Sequence, residues 1–346
     1  MKLHIHGREG VGELDAQDGE RILYCGLRHG IKLPYECGIG KCGTCSAVLL
    51  SGKVRSLWTE APGYGRVRSE RNEILMCQSV MESDVHLKVR PAVKPPVPLP
   101  VANVLEGEIA NQKPLNELVV SFDYRLSRPI AFNAGQFVAV STKSVPGFRA
   151  YSMTNFTDSP TDCLSFVVKD IPGGDFTDWL FDKSRNGEPL AGFGPLGRAV
   201  FSSEIDGDFI VMAGGTGIAG IMSILANASL HGHFDRYKAQ VVFGLNRIED
   251  VFYLEILNSY CATHPTLRVL VTLVDCGGVD SLRSRFPELD FARGFLHQAG
   301  ADWLEELTEV SVAFLAGPPP AVEASLQLLV RERKFSARKI RFDKFA

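Results

Sequence analysis

The sequence predicts a multidomain chain that joins an α+β unit, an antiparallel β-barrel and an α/β unit. Three observations carry this: a cysteine-bearing stretch confined to the first ninety residues, a proline-dense segment after it, and a change of pattern near residue 207. At 346 residues the chain exceeds one ordinary domain. With 45% hydrophobic and 22% charged residues and a net charge of −3, it reads as globular, without the basic excess that nucleic acid or an anionic membrane would select. No run of about 18 apolar residues occurs, so no spanning helix is expected. The start, Met1-Lys2-Leu3-His4-Ile5-His6, matches neither a signal nor a transit peptide, and the cytoplasm is the expected location.

The segment Arg90–Pro100 holds five prolines in eleven residues, which neither a helix nor a central strand tolerates. The expected division is therefore residues 1–90, a linker at 91–101, a second unit at 102–205 and a third at 206–346. In the first unit Leu3 and Ile5 alternate with polar residues as in a strand, Glu20–His29 reads as a short helix stopped by Gly30, and Ala47–Leu50 and Val85–Val89 read as strands. After the linker come short strands at Val104–Ile109, Leu118–Phe122, Gln136–Val140, Ala150–Thr154 and Leu164–Lys169, punctuated by Gly and Pro, as in an antiparallel barrel. Beyond residue 207, apolar runs at Phe209–Ala213, Gln240–Phe243, Arg268–Val274 and Val312–Leu315 alternate with helices, including one from Ile218 and one through Val322–Arg331. That is a βαβ pattern with a parallel sheet.

Cys37, Cys42, Cys45 and Cys77 are spaced C-x4-C-x2-C…C, the plant-type [2Fe–2S] pattern. Gly38, Gly40 and Gly43 let a tight loop wrap the sulfurs and aim N–H groups at them. A zinc site is the competing reading, but structural zinc favours two close ligand pairs, and here the fourth ligand stands alone. A disulfide framework is out of keeping with a long chain lacking a secretory start. Cys25, Cys163, Cys261 and Cys276 read as inert thiols or small core residues. About ninety residues of strands, one helix and a cluster loop resemble the β-grasp fold of plant-type ferredoxins.

Gly215-Thr216-Gly217-Ile218-Ala219-Gly220 is a G-x-G-x-x-G that follows an apolar strand and opens a helix, the context in which it cradles a pyrophosphate. No acidic ribose partner is assigned, because Asp235 precedes the next strand rather than ending it. In Arg149–Asn155, alternation puts Arg149, Tyr151 and Met153 on one face and Ala150, Ser152 and Thr154 on the other. Arginine suits a phosphate and an aromatic ring suits a flat cofactor. Pro172-Gly173-Gly174 leads into a helix over Asp175–Phe181, a second candidate pyrophosphate seat or a plain turn with an Asp cap.

With these motifs in place, the chain resembles, along nearly its whole length, the NADH-dependent ferredoxin-reductase components of bacterial multicomponent oxygenases. The flavin motif R-x-Y-S-x-x-N falls on Arg149, Tyr151, Ser152 and Asn155; G-G-x-x-S/T on Gly173, Gly174 and Thr177; G-G-T-G-I-A on Gly214 to Ala219; and G-P-P on Gly317, Pro318 and Pro319. The ending Phe342-Asp343-Lys344-Phe345 is similar to that family's terminal aromatic segment. The resemblance implies that Arg149 and Thr177 hold FAD phosphates, with Lys169 a further contact. It implies that Tyr151 packs on the isoalloxazine, Ser152 neighbours flavin N5, and Phe345 covers the ring. Gly214, Gly215, Thr216, Gly217, Asn246, Arg247, Gly317 and Pro318 would receive NADH. Two departures stand out: Ala316 replaces a cysteine beside the nicotinamide, and Gly220 replaces a proline.

NADH delivers electrons in pairs and a cluster accepts one, so a flavin must sit between them. The implied path runs from NADH through FAD and the cluster to an oxygenase hydroxylase component, of a monooxygenase or a ring-hydroxylating dioxygenase, or to an intermediate ferredoxin. A monomer is expected. Trp58 and Tyr64 lie in a loop that either docks the partner or covers the small core. The competing functions are a nucleotide-binding redox sensor with poor turnover, motivated by Ala316, and a reductase for a haem protein or another acceptor.

Overall fold

The computed structural model describes residues 1–7, 10–92, 94–95, 97–275, 277–304 and 310–344; Cys276 and Phe345 lie outside them. The first unit contains β1 (Lys2–Gly7), β2 (Gly10–Asp15), α1 (Ile22–Arg28), β3 (Ser46–Ser51), β4 (Val54–Ser56), β5 (Glu73–Leu75), β6 (Ser79–Met81) and β7 (Val85–Val89). Its main sheet runs β2-β1-β7-β3-β5, with β1 and β7 parallel and the other pairs antiparallel. Period-two alternation decides the faces: Leu3 and Ile5 join Ile22 and Leu23 of α1 in the core. His4 points the other way and stacks on His86 at 4.1 Å.

The barrel is built from β8 (Asn103–Asn116), β9 (Val119–Ile130), β10 (Phe137–Thr142), β11 (Val145–Ser152), β12 (Thr161–Lys169) and β13 (Pro189–Leu196), with α2 (Asp175–Asp182) across it. The strand order is β11-β10-β13-β8-β9-β12, antiparallel throughout. The strand expected at Ala150–Thr154 lies earlier, at Val145–Ser152. Past Ser152 the chain turns to β12, where Thr154 N–H donates to Ser165 O at 2.9 Å and helps close the barrel.

The third unit contains β14 (Asp208–Gly214), α3 (Ile218–Leu230), β15 (Ala239–Leu245), α4 (Leu254–Thr263), β16 (Leu267–Leu273), α5 (Val279–Arg285), β17 (Asp290–Arg293), α6 (Leu296–Trp303), β18 (Val310–Gly317), α7 (Pro319–Gln327) and β19 (Ile340–Lys344). The helix expected through Val322–Arg331 starts at Pro319 and finishes as a wide turn over Leu328–Glu332. The sheet runs β17-β16-β15-β14-β18-β19, all parallel. Helices cover both faces: Phe209, Val211 and Ala213 pack with α3 and α4, and Ile210 and Met212 with α6 and α7. That is why these strands read as unbroken apolar runs. The strand order reverses beside β14, between β15 and β18, which makes a switch point at the sheet's carboxyl edge.

One buried group sets an acid limit. His233 is 1% exposed, neither ring nitrogen has a hydrogen-bond partner, and Phe201 lies edge-on at 5.3 Å. Burial, helped by the Arg236 cation, lowers its pKa to about 4. The unfolded chain therefore binds a proton that the native state refuses, and stability falls as pH drops from about 6.5 to about 4, by about 3 kcal/mol. Thermal melts of His233→Leu against the parent across pH 8 to 4 should show the gap widening in the variant's favour through that window.

Candidate active site and cluster loop

The cluster loop runs from Tyr35 to Cys45 without regular structure. Gly40 and Gly43 hold φ of +97° and +76°. A Cβ at Gly40 would lie 2.8 Å from Gln78 Nε2, and one at Gly43 would lie 2.9 Å from Gly63 O, so neither close approach admits a side chain. Gly63 N–H donates to Gly40 O at 2.8 Å and Arg66 to Cys42 O at 3.0 Å, which pins the loop to the following segment. Cys77 sits on the turn Met76–Gln78, brought over by the bond from Met76 N–H to Cys45 O at 3.1 Å.

The four sulfurs form two pairs, with Cys37 and Cys42 at 3.3 Å and Cys45 and Cys77 at 3.1 Å. None is in a disulfide. Two thiolates on one tetrahedral metal, with bonds of about 2.3 Å, sit slightly further apart, at about 3.8 Å. Among the described residues no three His, Cys, Asp or Glu side chains converge on a single ion. Two pairs, one per iron, suit a two-iron cluster and not a lone zinc. The bond between Cys37 and Cys42 draws the Cys42 thiol down and pushes the Cys37 thiol up, so the two sulfurs of that pair share one proton between them.

The residues expected to hold a flavin lie on the barrel and the turn into α2. Arg149, on β11, stands 4.0 Å from Asp175 at the N-terminus of α2, so a guanidinium and a positive helix end face the same space. Gly173 takes φ +75°, and a Cβ on Gly174 would meet Thr177 Oγ1 at 2.8 Å. The Thr177 hydroxyl is buried and bonds Ile171 O and Gly174 O, so it shapes this turn from within. Tyr151 is half-buried, its ring 5.5 Å from Phe176. Asn155 is engaged with β12, donating to Cys163 O and accepting from Ser165 N–H, both at 2.9 Å. Lys169 pairs with Asp250 at 2.7 Å, which ties β12 to the loop after β15. Replacing Arg149 with Ala should weaken FAD binding about 10- to 100-fold, the worth of a charge-assisted phosphate contact, measured by calorimetry on the apoprotein.

The residues expected to receive a dinucleotide lie at the switch point. Gly214 ends β14, Gly215–Gly217 form one short turn, and Gly317 and Pro318 end β18 and open α7. Asn246 and Arg247 are exposed just beyond β15. Ser152, Gly217, Gly220, Ala316 and Asp343 line one small cavity, so strand β11 meets the switch point there. A Cβ on Gly220 would lie 3.3 Å from Ser152 Cβ. Burial, with the nearby Glu36 charge adding, pushes the Asp343 carboxyl up to about 7 against the pull of Arg198.

Sequence reasoning missed the joint between the cluster loop and this site. Tyr24 stacks on Phe193 of β13 at 4.0 Å and 1°. Gly197 N–H donates to Tyr35 Oη at 3.2 Å and Arg198 to Tyr35 O at 2.8 Å. A Cβ on Gly38 would be 3.5 Å from Leu196. No spacing rule links residues some 160 positions apart. Trp58 is 38% exposed and so does not cover the core, while Tyr64 is half-buried with its hydroxyl on Ser56.

Comparison with known proteins agrees with this geometry. A 2Fe-2S iron-sulfur cluster binding domain matches residues 7–82, an oxidoreductase FAD-binding domain residues 106–201, and an oxidoreductase NAD-binding domain residues 211–327. The ferredoxin–NAD(P)+ reductase CarAd of Metapseudomonas resinovorans is 32% identical over 326 residues, covering 93% of this chain and 94% of its own. The chain belongs to the ferredoxin–NAD(P)+ reductase components of oxygenase systems. The ferredoxin–NAD+ reductase component of the Xanthobacter autotrophicus alkene monooxygenase system is 32% identical over 338 residues, covering 94% of this reductase and 95% of itself. Among solved structures, the ferredoxin reductase in carbazole 1,9a-dioxygenase superposes with a TM-score of 0.81 at 29% identity, over 100% of this chain and 99% of that one. The Amycolatopsis cytochrome P450 reductase GcoB gives 0.80 at 26%, over 99% and 98%. The reductase thus takes a [2Fe–2S] cluster, FAD and a nicotinamide dinucleotide, and no helix among its described residues is long and apolar enough to cross a membrane.

Proposed function

We propose that the protein carries electrons from NADH through FAD and the [2Fe–2S] cluster to a terminal oxygenase component or its ferredoxin. The observation that carries this reading is the seating of the cluster loop on the flavin end of the barrel, through Tyr35, Gly38, Leu196 and Arg198, beside the cavity that holds Ser152 and Asp343. The flavin supplies the two-to-one electron conversion. The chain's own task is placement: Arg149 and the α2 terminus fix the pyrophosphate, Tyr151 and Ser152 border the ring, and the Gly214–Gly217 and Gly317 loops bring the nicotinamide to it. Cys37, Cys42, Cys45 and Cys77 are the cluster ligands, and residues 1–90, 102–205 and 206–346 form the three units. Phe345, beyond the described residues, is the proposed cover of the ring.

Exposed Leu57 and Trp58, on the segment pinned to the cluster loop, mark the face that meets the acceptor. A monomer in the cytoplasm using NADH fits the reading, since Arg247 alone is thin provision for a 2′-phosphate. The likeness to a P450 reductase favours a haem protein as the second reading of the acceptor. The test is rapid mixing of the purified, air-protected protein with NADH. Flavin bleaching should precede the reduced-cluster EPR signal. A flavin that stays oxidised at catalytic concentrations of NADH overturns the proposal.

A further inference from the structure

We propose that Arg21 is the built-in countercharge of the cluster, a positioning residue that raises the cluster's reduction potential and so favours the electron step from flavin to cluster. The inference rests on the assignment of the four cysteines to a [2Fe–2S] centre. Arg21 stands immediately before α1 and is only 8% exposed. Its Nη1 donates to the carbonyl oxygen of Cys77 at 2.5 Å. Its guanidinium carbon lies 4.7 Å from the ring centre of Phe148, on β11, and 5.7 Å from that of Tyr24. Among the described residues its partners are thus one carbonyl and two aromatic faces, with no carboxylate within ion-pair distance.

A buried cation without an anion is expensive, and natural chains pair such groups or hydrate them. Here the missing negative charge is at hand in the ligand set. Two ferric ions, two sulfides and four thiolates leave a net negative cluster, and Arg21 grips the backbone of its fourth ligand. Transfer of one electron from reduced flavin turns one ferric iron ferrous. No bond is made or broken, and one further negative charge appears beside the guanidinium. A fixed cation in a low-dielectric site stabilises the more negative state. The placement also has direction, because Phe148 lies on the strand that carries Arg149, Tyr151 and Ser152. The charge therefore sits at the joint between the two redox centres.

The test uses the holoprotein and an EPR-monitored redox titration of the cluster. Arg21→Gln should lower the equilibrium constant for electron transfer from flavin to cluster about tenfold, a fall of roughly 59 mV in the cluster potential. Arg21→Lys keeps the charge and should stay within about twofold of the parent in that constant. Phe148→Leu removes the ring and leaves the charge, and should not move the potential. An unmoved potential in Arg21→Gln with iron and sulfide fully present overturns the proposal. A tenfold loss in Arg21→Lys overturns it too, even where the glutamine variant takes up no cluster. Absence of iron and sulfide from the parent chain would instead defeat the cluster assignment, so the two failures are distinguishable.

Discussion

Cys77→Ser should abolish electron delivery to any one-electron acceptor while leaving NADH oxidation by the flavin almost intact. Cys77 is fully buried and its sulfur lies 3.1 Å from that of Cys45. It is the one proposed ligand that the tight loop cannot supply, because it arrives on the turn Met76–Gln78 between β5 and β6. A serine oxygen is a shorter and harder ligand than a thiolate, so the pair meant for the second iron is lost. The proposed flavin and dinucleotide seats lie in other units, built on β11, α2 and the switch point, and meet the cluster unit at a joint where Arg21, Tyr24, Tyr35 and Gly38 lie against Phe148, Phe193, Leu196 and Gly197. The expected outcome is loss of the cluster's visible bands and of reduction of cytochrome c. Ferricyanide reduction by NADH should stay within about twofold of the parent, since the interactions serving that step are untouched. Parallel loss of both activities would show that the cluster unit is required to fold the rest.

The parts legible in the sequence share a physical cause. Ligand spacing, the glycines of the dinucleotide turn and the apolar runs of a doubly covered parallel sheet are each fixed by local geometry, so Cys37–Cys45, Gly214–Gly217 and β14 to β16 could be read one segment at a time. What escaped was structure set by partners distant in sequence. β13 reads Pro-Leu-Ala-Gly-Phe-Gly-Pro-Leu, a composition that argues against a strand, yet it pairs with β8 and β10 and presents Phe193 to Tyr24. β19, Ile-Arg-Phe-Asp-Lys, lacks the apolar run of its neighbours because it is the sheet's edge. Its Asp343 nevertheless reaches the cavity beside Ser152. β2 begins Gly-Val-Gly and carries too little pattern to mark it. Arg149 and Tyr151 suit a phosphate and a flat ring, but Arg and Tyr alternate on many strands, so the flavin assignment is implied by the family resemblance and not by the spacing. The structure adds the physical reason, an arginine facing the start of α2.

Gly317→Ala should cost the enzyme its response to NADH more than any surface change in the same unit. Gly317 ends β18 at φ +131°, a backbone region that side chains rarely enter, and a Cβ there would lie 2.7 Å from Gly214 O. On the other side of the same contact, a Cβ on Gly217 would lie 2.4 Å from Ala316 O. The two loops that flank the switch point therefore meet backbone to backbone, and each needs its glycine for the other to close. A methyl group at that distance reaches ordinary contact only if the loops part by about 1 Å, and it adds conformational strain of about 1–3 kcal/mol. The proposed dinucleotide site is built from those loops, so the displacement should act on dinucleotide position as well as on stability. A misplacement of that size costs about a hundredfold where hydride transfer depends on contact geometry. Stopped-flow reduction of the flavin by NADH should slow by at least that factor in Gly317→Ala. Photochemical reduction of the same flavin, which needs no dinucleotide, should proceed at the parent's rate. Slowing of both reactions together would place the damage in the flavin seat rather than in the cleft between the loops.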